Sequence, residues 1–350
     1  MVIIYTFAIQ VLKSMSTKAP SIKDIAKKAS VSITTVSFII NGKAIEKNIS
    51  AAVIKRVEDI IIEEGYKPNQ VARSLRTGNS QIIALIVEDI SNSFFAGIAR
   101  LIEEKAYKKG YKIIFSSTDN FPGKTTELIN LFRSRQVDAY IISPAQGTEK
   151  DILGIIEEGK PVVLFDRILP EVKANYVGVD HFKASHAATS HFIKNSKQNI
   201  ALVTVDIGVD QITDRQAGYK QALTDHHIPY QESLVLKIPF SQSRAETIDQ
   251  LVKLFMENEK IDAVLFATNY LAISGLTALK MMNKPVNDSF SVIAYDDGDV
   301  FKLHTPQISA VEQPLEEIAE NIISLLFKQL TATEPAAVQQ VIVPAKLILR

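Results

Sequence analysis

Four small hydroxyl side chains crowd into six residues of SIKDIAKKASVSITTVSFIING, the stretch 21–42: Ser32, Thr34, Thr35 and Ser37. Such groups reach phosphate oxygens or base edges without bulk. A second set of reactive side chains lies far from the first, in segments 88–95, 116–120, 166–167, 207–215, 268–270 and 296–297. Each follows an apolar run, and they hold carboxylates, arginines, amides and aromatic rings. Catalytic signatures are missing: there is no G-x-S-x-G, no Walker loop and no dinucleotide fingerprint. His181, His186 and His191 are spaced by five, which spreads them around a helix instead of placing them on one face as metal ligands. The expectation is a non-enzyme with no metal and no cofactor.

The hydroxyl-rich segment needs helices to hold it. Ile22, Ile25, Ala26 and Ala29 fall at i, i+3, i+4 and i+7, one apolar face. Ile33, Val36, Ile39 and Ile40, at i, i+3, i+6 and i+7, give a second apolar face beyond a small-residue joint, Ala29-Ser30-Val31-Ser32. β-Branched and hydroxyl residues make weak helices, so the second piece must be held by packing. Ser50 can cap a third helix, with Val53, Ile54, Val57, Ile60 and Ile61 as its buried stripe and Gly65 at its end. Two short helices and a tight joint read as a helix-turn-helix, whose second helix enters the major groove. A three-helix domain that binds protein fits the same spacing. Next, in YKPNQVARSLRTGNS, Pro68 can start a helix over 69–76, and 78–80 is a linker. A helix that short is marginal alone in water.

From Gln81 the texture changes. Short apolar runs recur (IIALIV, YKIIFSS, DAYIIS, PVVLFD, then NIALVTV, DAVLFAT, SVIAYDD), separated by amphipathic lengths such as 95–109, 124–135 and 245–257. That alternation predicts parallel sheets with crossover helices. It occurs in two sets, about 81–179 and 199–297, so two doubly wound halves are expected, with the tail 308–350 crossing back between them. Ligands in such folds sit beyond the carboxyl ends of strands, where the segments named above lie.

The formal net charge of zero hides an asymmetry: residues 15–80 hold 11 Lys/Arg against 6 Asp/Glu, and residues 81–350 hold 27 against 33. A basic module preceding an acidic body suits a phosphate backbone. The chain has no Cys, which excludes disulfides and thiolate chemistry. The apolar start MVIIYTFAIQVL is shorter than the roughly 20 residues that span a bilayer. It lacks the basic region and cleavage site of a signal peptide. Residues 1–19 are expected to be a disordered or mis-started extension, with Met15 the natural beginning and the rest cytoplasmic, without a membrane partner.

SIKDIAKKASVSITTVSFIING followed by GYKPNQVARSLRTG closely resembles the DNA-binding head and hinge of the lactose/galactose-repressor (LacI/GalR) family of bacterial transcription regulators. The resemblance continues through VEDISNSFFAGIARLIEEKAYKKGYKIIFSSTDN, VDAYIISP, PVVLFDR, DRQAGYKQAL, DAVLFATNYLAISGLTAL and FSVIAYDD. It implies an all-α head at 20–67, a hinge helix and linker at 68–80, and an α/β body at 81–350. The body would comprise two doubly wound parallel-sheet subdomains of periplasmic-binding-protein type. The N-subdomain would take about 81–180 and 298–313, the C-subdomain about 181–297 and 314–350. It also implies a homodimer, through helix 95–109 and segments near 271–282, that binds a pseudo-palindromic operator in double-stranded DNA, expected as a repressor. A small effector, such as a sugar or sugar phosphate, would set its affinity. A sugar-binding protein without a DNA role is the alternative.

The resemblance places roles by position. Ile33, Thr34 and Phe38 would face base edges; phenylalanine cannot donate to guanine but can touch thymine methyls. Ser32, Thr35, Ser37 and Asn41 would bind phosphates. The family usually has Gly where Ser30 stands, and a left-handed backbone there costs Ser roughly 1 kcal/mol. The loop 42–49 looks longer than in the lactose repressor. Leu75 would wedge into the minor groove, flanked by Asn69, Ala72 and Arg73, at the cost of unstacking a base step. In the body, Arg215 would grip the effector, since a guanidinium fork suits hydroxyls, carboxylates or phosphates. Asp296 would accept from hydroxyls or amines. Phe94 and Phe95 would form an apolar wall, with Asp166, Gln313, Thr268 and Asn269 as further candidates. The family often has Asn-Asp at the last two positions.

Overall fold

The computed structural model describes residues 20–67, 74, 78–332, 334 and 337–350. Contacts divide the chain into two compact units that meet at Ser80 and Gln81.

The described residues of the first unit include the helices α1 (Ile22–Lys28), α2 (Ile33–Ile40) and α3 (Ala51–Glu63). Ser21 and Asp24 form a reciprocal capping box at the start of α1. The chain turns at Ser30, whose φ is +50°, the left-handed conformation expected where the family has glycine. The Val31 amide then donates to the Ala26 carbonyl and brings α2 round. Ile25, Ala26, Ala29, Val36, Ile39, Ala44 and Val57 form the core, all but Ala44 drawn from the three apolar stripes. Ile25, Val36 and Val57 are fully buried, each contributing about 2 kcal/mol. This packing holds α2 despite its poor intrinsic propensity. Gly65, at φ +60°, ends α3, and Gly65 and Tyr66 donate back to Ile62 and Ile61. Ser50 occupies the N-cap of α3 without a side-chain cap bond.

The second unit carries two six-stranded sheets. The first is built from β1 (Ile82–Val87), β2 (Lys112–Ser117), β3 (Ala139–Ile142), β4 (Val162–Phe165) and β5 (Asn175–Val179). Between them run α4 (Ser93–Lys108), α5 (Pro122–Ser134) and α6 (Glu149–Glu157). The chain then crosses into the second half. There α7 (His181–Lys194), β6 (Ile200–Asp206), α8 (Asp210–Asp225), β7 (Val235–Pro239), α9 (Arg244–Glu257), β8 (Ala263–Phe266), α10 (Asn269–Met281), β9 (Ser291–Tyr295), α11 (Asp299–Leu303) and β10 (Ser309–Glu312) follow. The tail supplies α12 (Leu315–Thr331), β11 (Gln340–Val343) and β12 (Lys346–Ile348). The strand orders are β2-β1-β3-β4-β5-β11 and β7-β6-β8-β9-β10-β12, the same pattern twice; every pairing is parallel except β12 on β10.

The expected subdomain boundaries need correction at the tail. β10 pairs with β9 in the second sheet, so 298–313 belongs to the C-subdomain and not to the N-subdomain. α12 packs its Ile318, Ala319, Ile322 and Leu326 on the first sheet, and β11 pairs with β5. Of 314–350, therefore, only the end with β12 lies in the C-subdomain. The physical reason is that apolar periodicity reports the type of an element, whereas these crossovers are short and unmarked by composition.

One close approach sets the second lobe's packing. A Cβ on Gly218 of α8 would lie 2.2 Å from the Phe182 carbonyl oxygen and 3.0 Å from the His186 amide nitrogen of α7. Backbone cannot give way as a side chain can. Gly218→Ala should destabilise the body by about 2 kcal/mol or more, read as a lowered denaturant midpoint. An unchanged midpoint would show that α7 and α8 can separate freely.

Candidate DNA-reading surface and ligand cleft

On α2 the hydroxyl groups are organised in pairs. Ser32 is the N-cap; its Oγ accepts from the Thr35 amide at 3.0 Å and lies 2.8 Å from Thr35 Oγ1. At the other end Asn41 Nδ2 donates to the Ser37 carbonyl at 2.6 Å and lies 3.3 Å from Ser37 Oγ. Ile33, 43% exposed, and Thr34 project from the first turn. Thr35, Ser37 and Phe38 are half-buried, and Asn41 is exposed. Lys47 reaches over the Phe38 ring at 5.7 Å from its centroid, so the long loop after α2 covers the ring with a cation. Asn69, Ala72, Arg73 and Leu75 lie outside the described residues. Ser32→Ala should remove the cap of α2 and cost about 1 kcal/mol; faster amide exchange at Thr35 and Val36 would register it, and unchanged protection would contradict it.

In the body, seven of the eight expected ligand residues converge on one cleft: Phe94, Phe95, Asp166, Arg215, Thr268, Asp296 and Gln313. Asp166 follows β4 and Asp296 follows β9, equivalent places in the repeated topology, and both have φ +63°. That shared left-handed turn aims the two carboxylates at the cleft from opposite lobes. Asp166 accepts from Gln211 Nε2 at 3.2 Å and Ser143 Oγ at 3.3 Å. Asp296 accepts from Gln313 Nε2 at 2.6 Å. Arg215, 4% exposed, stands with its guanidinium 3.9 Å from the Tyr295 ring centroid and donates to the Ala267 carbonyl. Phe94 and Phe95 pack edge-to-face, with centroids 5.0 Å apart.

Asn269 departs from expectation. It does not line the cleft; its Nδ2 donates to Asn92 Oδ1 at 3.0 Å and Ser93 Oγ at 3.1 Å, tying the two lobes together. The missed residues have recoverable signals. Gln211 lies four residues before Arg215 on α8, hence on the same face. Arg167 directly follows Asp166, and Glu88 opens the segment after β1; the two form a buried ion pair. Tyr270 and Phe240 add aromatic surface.

Burial dominates the electrostatics. It pushes the Asp166 carboxyl up to about 6, against the lowering pull of Arg215, and the Asp296 charge pushes the same way as burial. Burial also raises Asp296, again opposed by Arg215. Arg167 is pushed down to about 10, chiefly by burial. Three carboxylates thus face two guanidiniums. The cavity among them is about 60 Å³, room for a few waters, and Gln211 Oε1 and Gln313 Oε1 are buried there with no partner.

A helix-turn-helix head joined to a two-lobed α/β body with a polar cleft defines a ligand-binding regulator of DNA. Residues 21–69 match the model for bacterial regulatory proteins of the lacI family, and residues 189–350 match that for a periplasmic binding protein-like domain. The catabolite control protein A of Priestia megaterium is 30% identical over 310 residues, covering 88% of this chain and 92% of that one. The chain belongs to the LacI family of bacterial regulatory proteins. Its fold is that of the lac repressor dimer bound to operator and an anti-inducer (TM-score 0.80, 19% identity, 95% of this chain and 98% of that one). It is also that of a LacI-family regulator from Enterococcus faecium with bound ribose (TM-score 0.68, 24% identity, 77% and 97%). No helix among the described residues is long and apolar enough to cross a membrane, and no group of three or more metal-ligating side chains occurs among them.

Proposed function

We propose that this regulator is a cytoplasmic, non-enzymatic repressor, that it binds a pseudo-palindromic operator as a homodimer, and that an uncharged carbohydrate sets its affinity. The observation that carries the effector reading is the cleft's charge. Three carboxylates against two guanidiniums leave no surplus of positive charge for a phosphate. Buried carboxylates and amides between aromatic walls instead suit the hydroxyls and apolar ring faces of a neutral sugar. Of the two effector chemistries expected from the sequence, sugar and sugar phosphate, the first is favoured. Arg215, Asp166, Asp296 and Gln313 would bond its hydroxyls, with Gln211 added to that set and Asn269 moved to the closure of the lobes. Because the cavity is small, entry would require breaking the Asn92–Asn269 and Gln211–Asp166 contacts.

On DNA, Ile33, Thr34 and Phe38 would read base edges, and Ser32, Thr35, Ser37 and Asn41 would anchor phosphates. Phe38 would favour thymine methyls. Leu75, with Asn69, Ala72 and Arg73, would wedge the central base step. The test is a stability screen of the purified protein against D-ribose, D-xylulose and cellobiose, each beside a phosphorylated counterpart. A neutral sugar at 100 times its Kd should add about 2.7 kcal/mol of stability. Stabilisation by the phosphate esters alone would overturn the effector reading.

A further inference from the structure

His181 is the first residue of α7 and is 2% exposed. Its place there is costly, because Nε2 is buried with no partner. Nδ1, by contrast, has two neighbours: Arg215 Nε donates to it at 3.4 Å, and the Tyr295 hydroxyl lies 3.3 Å away. The guanidinium is then fixed at several points. Nε meets the imidazole, Nη1 meets the Ala267 carbonyl, and its plane covers the Tyr295 ring. Neither of those two bonds uses Nη2, and Arg215 lines the cleft.

We propose that His181 is the positioning residue for Arg215: its neutral imidazole accepts the Nε hydrogen and so presents Nη2 to the effector. This rests on the reading of Arg215 as an effector ligand, but the contact itself can be read with no effector present. An imidazole that accepts at Nδ1 carries its proton on Nε2, the atom that has no partner. A side chain retained at the expense of an unbonded N–H has its use at the other nitrogen. Burial, and after it the Arg215 charge, hold the histidine well below its ordinary value, so the acceptor is present throughout the neutral range. The groups facing the ring are Arg215 from α8 and Tyr295 from β9. Neither is an anion, so neither draws a proton to it. Phe182, the next residue, and His186, further along α7, stack on each other. In a polyol site a guanidinium turned out of register would lose the paired geometry that makes arginine selective.

The experiment is nitrogen NMR on the full-length protein with ¹⁵N-labelled histidine and arginine. The expected spectrum has one histidine that stays neutral well below the ordinary imidazole range, with hydrogen on Nε2 and an unprotonated Nδ1. That signal should vanish in His181→Asn and His181→Phe. The Arg215 Nε–H, slow to exchange in the parent, should exchange at least tenfold faster in His181→Phe and be largely protected again in His181→Asn, whose amide oxygen can accept. If His181→Phe does not fold, the tautomer in the parent and the exchange in His181→Asn decide. A His181 that titrates near 6.5, or that carries its hydrogen on Nδ1, overturns the proposal. So does an Arg215 signal indifferent to both substitutions. Failure of the sugars to bind, with these signals as expected, would instead count against the effector reading alone.

Discussion

Arg215→Ala is expected to abolish the response to the effector while leaving operator binding within about threefold. Two hydrogen bonds from a buried guanidinium are each worth about 1.5–3 kcal/mol, so their loss should weaken effector binding by at least about 100-fold. The same change leaves Asp166 and Asp296, both already pushed up by burial, without their shared cation. Calorimetric titration with a sugar found by the stability screen is the measurement. A variant that binds that sugar normally would remove Arg215 from the site.

Asp166→Asn is expected to stabilise the protein at alkaline pH while damaging effector binding. An acid whose pKa rises on folding resists ionisation in the folded state. Below the unfolded value near 4 both states are protonated, and the group costs nothing. As pH climbs from about 4 to about 6 the unfolded chain ionises first, and stability falls; above 6 the full cost of about 3 kcal/mol is present. Asparagine removes it, so the gain should approach about 3 kcal/mol at pH 8 and shrink towards zero near pH 4. Denaturant titrations at several pH values read this directly. A gain that is the same at pH 4 and pH 8 would mean that folding does not raise the Asp166 carboxyl.

The two substitutions show what sequence patterns carry and what they leave out. The apolar stripes of the head and its stop at Gly65 were legible because they are local, whereas the left-handed turn at Ser30 was expected from the family resemblance and Ser50 makes no side-chain cap bond. The alternation of strands and helices predicted two parallel sheets. It did not predict that β10 stays in the second sheet while α12 returns to the first, since membership depends on a crossover of a few residues at Gln313-Pro314. In the cleft, the strand pattern marked the segments that hold Asp166, Arg215 and Asp296, and the family resemblance singled out these residues within them. His181 was read only as one of three histidines spread along a helix. Its meaning comes from contact with positions 34 and 114 residues away, which no spacing within α7 reports. Asn269 shows the converse: it lies in the expected segment, yet its amide is taken by Asn92 across the cleft.

The Gln211 and Gln313 bonds suggest how the cleft is kept from collapsing on bare charge. Each amide donates to one carboxylate, as a sugar hydroxyl would, and each keeps an unbonded oxygen in the cavity. A ligand that replaces these bonds one for one would exchange contacts at little net cost.

The most direct measurement of the central claim is selection of bound duplexes from a random DNA pool by the full-length protein, at low and moderate salt. The account predicts enrichment of a two-fold symmetric sequence, with thymine favoured at the half-site position under Phe38 and binding altered by a neutral sugar. Failure to enrich any sequence, with and without such sugars, would contradict it and leave the body as a sugar-binding module without a DNA role.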